Sequence, residues 1–151
     1  MLGVNLRGCF LTAQACFKPM QRDSYRRIVV TSSITGTRVS APGHAHYAAS
    51  KGGTNGRIRS AALEFAPFGI TVNEIGPGNI MTVGMREHRS TVFASQMEHS
   101  VPLGRLGTSR YAAEDRAFLA SEAAVHHQQD DHRRRQPDPL GKQGLRTTRR
   151  S

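Results

Sequence analysis

The sequence predicts an α/β fold built on parallel strands, and three observations carry that expectation. Segments with helical apolar spacing alternate with short β-branched runs, in the order helix, strand, helix, strand, helix. The first run, Arg27-Ile28-Val29-Val30-Thr31-Ser32, has no polar alternation, which reads as a strand buried on both faces of a parallel sheet. The length, 151 residues, suits one domain of ordinary size.

Each element has its own signal. Val4, Leu6, Phe10, Leu11, Ala15 and Phe17 form an apolar stripe, so residues 2–20 read as a helix with Phe10 and Phe17 in the core. After the first strand comes a loop holding Gly36, Pro42 and Gly43. Tyr47 to Phe65 reads as a second helix, weakened by Gly52, Gly53 and Gly56, each costing up to about 1 kcal/mol relative to Ala. Pro67 and Gly69 stop it. Ile70 to Ile75 is the second strand, closed by Gly76-Pro77-Gly78. Residues 79–108 read as loop with one short helical stretch, and Arg110 to Ala120 as the third helix.

Composition narrows the function classes. No apolar run approaches the roughly 18 residues that a membrane-spanning helix needs. The two cysteines, Cys9 and Cys16, cannot make a disulfide framework or a four-ligand metal site, and are expected to be buried free thiols. With no positive segment at the start to suggest a signal peptide, the expected compartment is the cytoplasm. His44 and His46 lack acidic or thiol neighbours, so no metal site is expected and they read as a solvated loop.

The formal charge is +10, and +4 of it falls between His126 and Ser151. There the only large apolar residues are Leu140 and Leu145, too few to offset the entropy of ordering the segment. The expected organisation is a folded unit over residues 1–124 and a disordered basic tail over 125–151. Arg133-Arg134-Arg135 could attract nucleic acid, but no aromatic interleaves it, so a nucleic-acid partner is not expected.

The informative constellation is Ser33, Tyr47 and Lys51. Tyr47 and Lys51 are four apart on a predicted helix and so share a face. A phenol is ordinarily protonated near neutral pH. An ammonium beside it favours the phenolate and readies it for proton transfer. Ser33 falls where a parallel strand ends, the place where open α/β sheets gather ligands. A hydroxyl there can hydrogen-bond a carbonyl oxygen as it becomes an alkoxide. The combination points to carbonyl and alcohol chemistry.

These residues sit in a longer pattern. It runs through Val4-Asn5-Leu6, Ile28-Val29-Val30-Thr31-Ser32-Ser33 and Tyr47-Ala48-Ala49-Ser50-Lys51-Gly52-Gly53. It continues with Gly69-Ile70-Thr71-Val72-Asn73, Pro77-Gly78-Asn79-Ile80-Met81-Thr82, Pro102-Leu103-Gly104-Arg105-Leu106-Gly107 and Phe118-Leu119-Ala120-Ser121. In content and order, most of residues 1–124 resembles the short-chain dehydrogenase/reductase family. The resemblance implies a NAD- or NADP-dependent oxidoreductase acting on a small-molecule carbonyl or secondary alcohol. It casts Tyr47 as general acid/base, Lys51 as its partner and a contact to the nicotinamide ribose, Ser33 as the hydroxyl on the substrate oxygen, and Asn5 as the anchor of a relay water. Ser32 is expected only to pack or cap. Pro77, Gly78, Ile80 and Thr82 match the loop beside the nicotinamide.

Two departures shape the expectation. The family's domain opens with a strand and a glycine-rich turn that holds the pyrophosphate, and no such turn is found ahead of Asn5. The expected fold is therefore a partial Rossmann-like doubly wound parallel sheet lacking its N-terminal nucleotide-binding half, and little activity is expected of the chain alone. After Ala124 the family's apolar strand and Asp-Gly-Gly are also missing. The tail from Val125 can be written in codons which, read one base later, give a family-like ending, so residues 125–151 can be read as out of frame. Glu74 and Gly76 replace small apolar residues, and Asn55, Gly56, Arg57 and Arg59 make the Tyr47 helix more polar than is usual. Because that helix joins subunits in the family, these residues put the homo-oligomer that the resemblance implies in doubt. The rival expectations are a non-catalytic remnant that only folds or associates, and a basic binding module.

Overall fold

A computed structural model describes residues 1–22, 26–88 and 90–126. The expected tail lies almost wholly outside the described residues. A π-helical turn, Gly3–Gly8, runs straight into α1 (Cys9–Met20). There follow β1 (Arg27–Thr31), α2 (Ala45–Phe65), β2 (Thr71–Ile75) and β3 (Ile80–Met81). The remainder is α3 (Val83–His88), α4 (Thr91–His99), β4 (Gly107–Thr108) and α5 (Ser109–Ala120). A 3₁₀ turn, Glu122–His126, closes the described chain. No helix among the described residues is long and apolar enough to cross a membrane.

β1 and β2 pair in parallel, Arg27 opposite Thr71 through Thr31 opposite Ile75. A parallel pair needs a long crossover, and α2 supplies it. Ile58, Ala61 and Ala62 of α2 pack on Val72, joined by Ile28, Val30 and Phe65. Ile28 and Val30 therefore face α2. Side chains alternate along a strand, so Thr31 faces the other way. There its hydroxyl accepts a hydrogen bond from Arg116 of α5 at 3.1 Å. The helices thus cover both faces, the doubly wound arrangement expected. Phe17 of α1 stacks on Phe65 at 4.4 Å and meets Phe68 edge-on at 5.2 Å, tying α1 to the end of α2.

Several expectations need correction. β1 is half-buried, not buried on both faces, and it is β2 that lies in the core. No described strand covers the outer edge of β1. Phe10 is 48% exposed although it shares a face of α1 with Phe17 two turns on, because it borders a cavity of about 480 Å³ between α1 and α2 where Phe17 meets an aromatic partner. Cys9 and Cys16 are free thiols but not buried: Cys9 is partly covered and Cys16 is exposed. The stretch from 79 to 108 holds two helices rather than one. Ser90 caps α4 by accepting the Phe93 N–H at 3.2 Å, and Thr82 Oγ1 accepts the Met85 N–H at 3.2 Å at the start of α3.

Two of the three glycines of α2 have a packing reason that offsets their helical cost. A Cβ on Gly52 would stand 3.2 Å from the Gly36 carbonyl oxygen, and one on Gly53 would stand 3.0 Å from the Leu6 side chain. Gly52 admits the loop after β1, and Gly53 admits the π-helical turn. Both neighbours carry or precede residues of the candidate site.

Candidate active site

α2 carries Tyr47 and Lys51 one turn apart, and the structure keeps them on one face. The Lys51 ammonium lies 5.8 Å from the centre of the Tyr47 ring. Both side chains are half-buried. Lys51 Nζ also donates to the backbone carbonyl of Thr31 at 2.9 Å. That bond places the ammonium at the carboxyl end of β1, where the chain turns toward Ser33.

Ser33 stands two residues beyond β1 and is half-buried. Its Oγ accepts the Thr35 N–H at 3.1 Å, a local turn that fixes the hydroxyl while leaving its own proton to donate. Ser32 is buried and continues the ladder, donating its N–H to the Ile75 carbonyl at 2.8 Å. The two neighbouring serines therefore divide as expected, Ser32 into packing and Ser33 toward the end of the sheet.

Asn5 reaches the same region from the π-helical turn. Its Nδ2 donates to Ser50 Oγ at 3.1 Å, and Ser50 Oγ donates to the Tyr47 carbonyl at 2.8 Å. The Asn5 carbonyl accepts from Thr54 Oγ1 at 3.2 Å. Asn5 is thus held to the buried side of α2 at Ser50 and Thr54, and through Ser50 to the Tyr47 backbone. Ser50 and Thr54, 0% and 1% exposed, are the buried hydroxyls that hold it. Sequence reasoning did not single them out; the available signal was their spacing of three and seven from Tyr47.

The Pro77–Thr82 segment leaves β2 beside the Ser33 turn. The Ile34 N–H donates to the Pro77 carbonyl at 3.3 Å, and a Cβ on Gly78 would touch the Ile34 side chain at 3.4 Å. Ile80 opens β3, which pairs in parallel with Gly107-Thr108. Beyond it, Val83, Val92 and Leu103 expose between 65% and 78% of their surface. The structure thus joins Tyr47, Lys51 and Asn5 through the Ser50 hydrogen bonds and the ammonium–ring contact, and brings Pro77 and Gly78 to the turn that carries Ser33. No hydrogen bond joins Ser33 to Tyr47 among the described residues.

Comparison with known proteins identifies the family. The model of a family described as enoyl-(acyl carrier protein) reductase matches residues 1–127. The chain belongs to the short-chain dehydrogenase/reductase family. The 3-oxoacyl-[acyl-carrier-protein] reductase FabG of Staphylococcus aureus is 39% identical over 124 residues, covering 82% of this chain and 50% of its own length. Its counterpart in Vibrio cholerae is 37% identical over 129 residues, covering 83% of this chain and 51% of its own. Among solved structures, that of NAD+-bound xylitol dehydrogenase superposes with a TM-score of 0.76 at 32% identity. The match covers 83% of this chain and 54% of that one. The chain spans about half the length of the curated relatives it matches.

One set of polar residues acquires a meaning that the sequence did not show. Glu74 of β2 accepts from Asn55 of α2, and Asn55 in turn accepts from Arg59. Arg57 turns toward α1 and donates to Cys9 Sγ at 2.7 Å. The residues that made α2 look too polar are thus engaged within their own chain.

Proposed function

We propose that this chain carries the catalytic residues of a NAD- or NADP-dependent oxidoreductase that interconverts a small-molecule carbonyl and a secondary alcohol. The observation that carries the reading is the Lys51 ammonium over the Tyr47 ring at the carboxyl end of β1. When bound, the nicotinamide cofactor supplies or takes up the hydride. The donor set suits it: a ribose offers hydroxyls, and Lys51 and Tyr47 offer an ammonium and a phenol from one helix face. Pro77, Gly78, Ile80 and Thr82 would flank the nicotinamide, and Thr82 keeps its own proton to donate.

The chain's own residues then do the following. Tyr47 passes a proton to, or takes one from, the substrate oxygen. Lys51 stabilises negative charge that develops on the phenol oxygen during that transfer. Ser33 donates a hydrogen bond to the substrate oxygen. Asn5, held by Ser50 and Thr54, keeps the π-helical turn against α2 and anchors the relay water beside Lys51. Residues 1–124 form this catalytic unit, and the working compartment is the cytoplasm. Arg57 and Arg59 of α2 bond to partners in their own chain.

The decisive experiment joins residues 1–124 to the part of the S. aureus reductase outside its matched segment and follows nicotinamide oxidation with a panel of ketones. Turnover that vanishes with Tyr47→Phe supports the reading, and turnover indifferent to Tyr47 overturns it. The 151 residues by themselves are expected to turn over little, because they contain no glycine-rich phosphate-binding turn. Incubation with NADH or NADPH and the same ketones checks this, and robust turnover refutes it.

A further inference from the structure

Two cations converge on one residue at the carboxyl end of β1. Ala112, Leu119 and Ala120 are the half-buried residues of α5 and share the face it turns to the sheet. Arg116 lies on that same face, four after Ala112 and three before Leu119. The small side chains of Ala112 and Ala120 leave room for its stem, and its Nη2 donates to Thr31 Oγ1 at 3.1 Å. From the other face of the sheet, Lys51 Nζ donates to the carbonyl oxygen of the same threonine at 2.9 Å. Those two oxygens can be no more than about 5 Å apart. The ammonium and the guanidinium therefore stand within roughly a Debye length of each other, where like charges repel. Among the described residues neither pairs with a carboxylate.

We propose that Lys51, Arg116 and the Thr31 hydroxyl form a seat for a phosphate group, and that this phosphate is carried by the substrate. The donors left over identify the ligand. An ammonium has three N–H groups, enough for the Thr31 carbonyl, a ribose hydroxyl and one phosphate oxygen. A guanidinium has further N–H groups in a fork that matches two oxygens of a phosphate. The Thr31 hydroxyl accepts from Arg116 and keeps its own proton to donate. A phosphate monoester carries close to two negative charges at neutral pH and so balances both cations, whereas a carboxylate balances one. The family holds the diphosphate of its cofactor on a glycine-rich turn, so a seat built from α5 is a separate one. That the phosphate belongs to the substrate rests on the catalytic reading of Tyr47 and Lys51 above; the seat itself does not.

A chain of charge +10 attracts anions diffusely, so the test must read one site. The full 151-residue chain is treated with trace acetic anhydride, and acetylation of Lys51 is compared by mass spectrometry with that of Lys18 on α1. About 10 mM inorganic phosphate, set against chloride of equal ionic strength, should slow Lys51 about threefold or more and leave Lys18 unchanged. No slowing, or equal slowing of both lysines, overturns the proposal. Arg116→Met should abolish the protection. Arg110→Met removes the same charge from the same helix at the ion pair with Glu114 and should preserve it. The reverse pattern overturns the seat. Should Arg116→Met fail to fold, Thr31→Val decides: it keeps the side chain's shape and should weaken protection about twofold to fivefold, and undiminished protection overturns the seat. Glycerol 3-phosphate, compared with glycerol, then assigns the source. An ester that protects at the concentration inorganic phosphate needs supports the substrate assignment; one that needs about tenfold more overturns it and leaves a seat for free phosphate. None of these arms reads turnover, so protection of Lys51 combined with turnover indifferent to Tyr47 would overturn the catalytic reading and keep the seat.

Discussion

β1 and β2 are both five residues long and lie in register, yet they are opposites. Arg27-Ile28-Val29-Val30-Thr31 is the more apolar run and remains half-exposed. Thr71-Val72-Asn73-Glu74-Ile75 carries an amide and a carboxyl and is almost wholly buried. Burial follows from what packs around a strand, not from its own hydropathy. Each strand has the other on one edge, but Val72 of β2 lies inside the cluster that α2 covers, whereas Ile28 and Val30 of β1 only border it. The difference divides the work of the molecule: β2 anchors the core, and the end of β1 presents Thr31 and Ser33 to the residues of α2.

If that division is right, substitutions should separate cleanly into those that stop chemistry and those that loosen the fold. The largest effect belongs to Tyr47→Phe, which should lower turnover of the joined enzyme about 10²–10⁴-fold while leaving its melting temperature unchanged. An equal fall in melting temperature would erase the distinction. Next comes Ile58→Ala, which empties the contact of α2 with Val72 and should cost about 2–5 kcal/mol by denaturant titration. Asn55→Ala leaves the Glu74 carboxylate without its amide donor and should cost about 1–3 kcal/mol. Val29→Ala, on the open strand, should cost less than about 1 kcal/mol, and a loss equal to that of Ile58→Ala would contradict the contrast drawn here. The smallest effect is expected outside both strands. Arg110→Ala breaks a 2.8 Å ion pair with Glu114 whose side chains are 84% and 59% exposed. That should shift the melt by no more than about 0.5 kcal/mol.

The element order and the shared face of Tyr47 and Lys51 were legible because they depend on local periodicity. An i, i+4 pair on a helix meets whatever the rest of the chain does. The exposure of β1, Phe10 and Cys16 was not legible, because it depends on which neighbour covers an element, and an apolar run carries no information about its neighbour. The same holds for Glu74, Asn55 and Arg59. Read singly they were departures from a small apolar pattern; only their contact across the α2–β2 interface makes them one hydrogen-bonded set. The helices α3 and α4 were missed in part because they are short, six and nine residues, and are set by hydroxyl caps at Thr82 and Ser90 rather than by an apolar stripe.

The π-helical turn Gly3–Gly8 behaves like a regular helix into which one residue has been spliced. Its wider winding determines the rotational phase at which Asn5 arrives over Ser50. Adding or removing a single amino acid in the ordinary winding of α1 between Cys9 and Phe17, by contrast, would swing Asn5 by about 100° around the axis relative to Phe17. A length change of one residue here would uncouple that amide from α2 more thoroughly than many point replacements, so natural variants of this segment should tolerate altered chemistry far better than altered spacing.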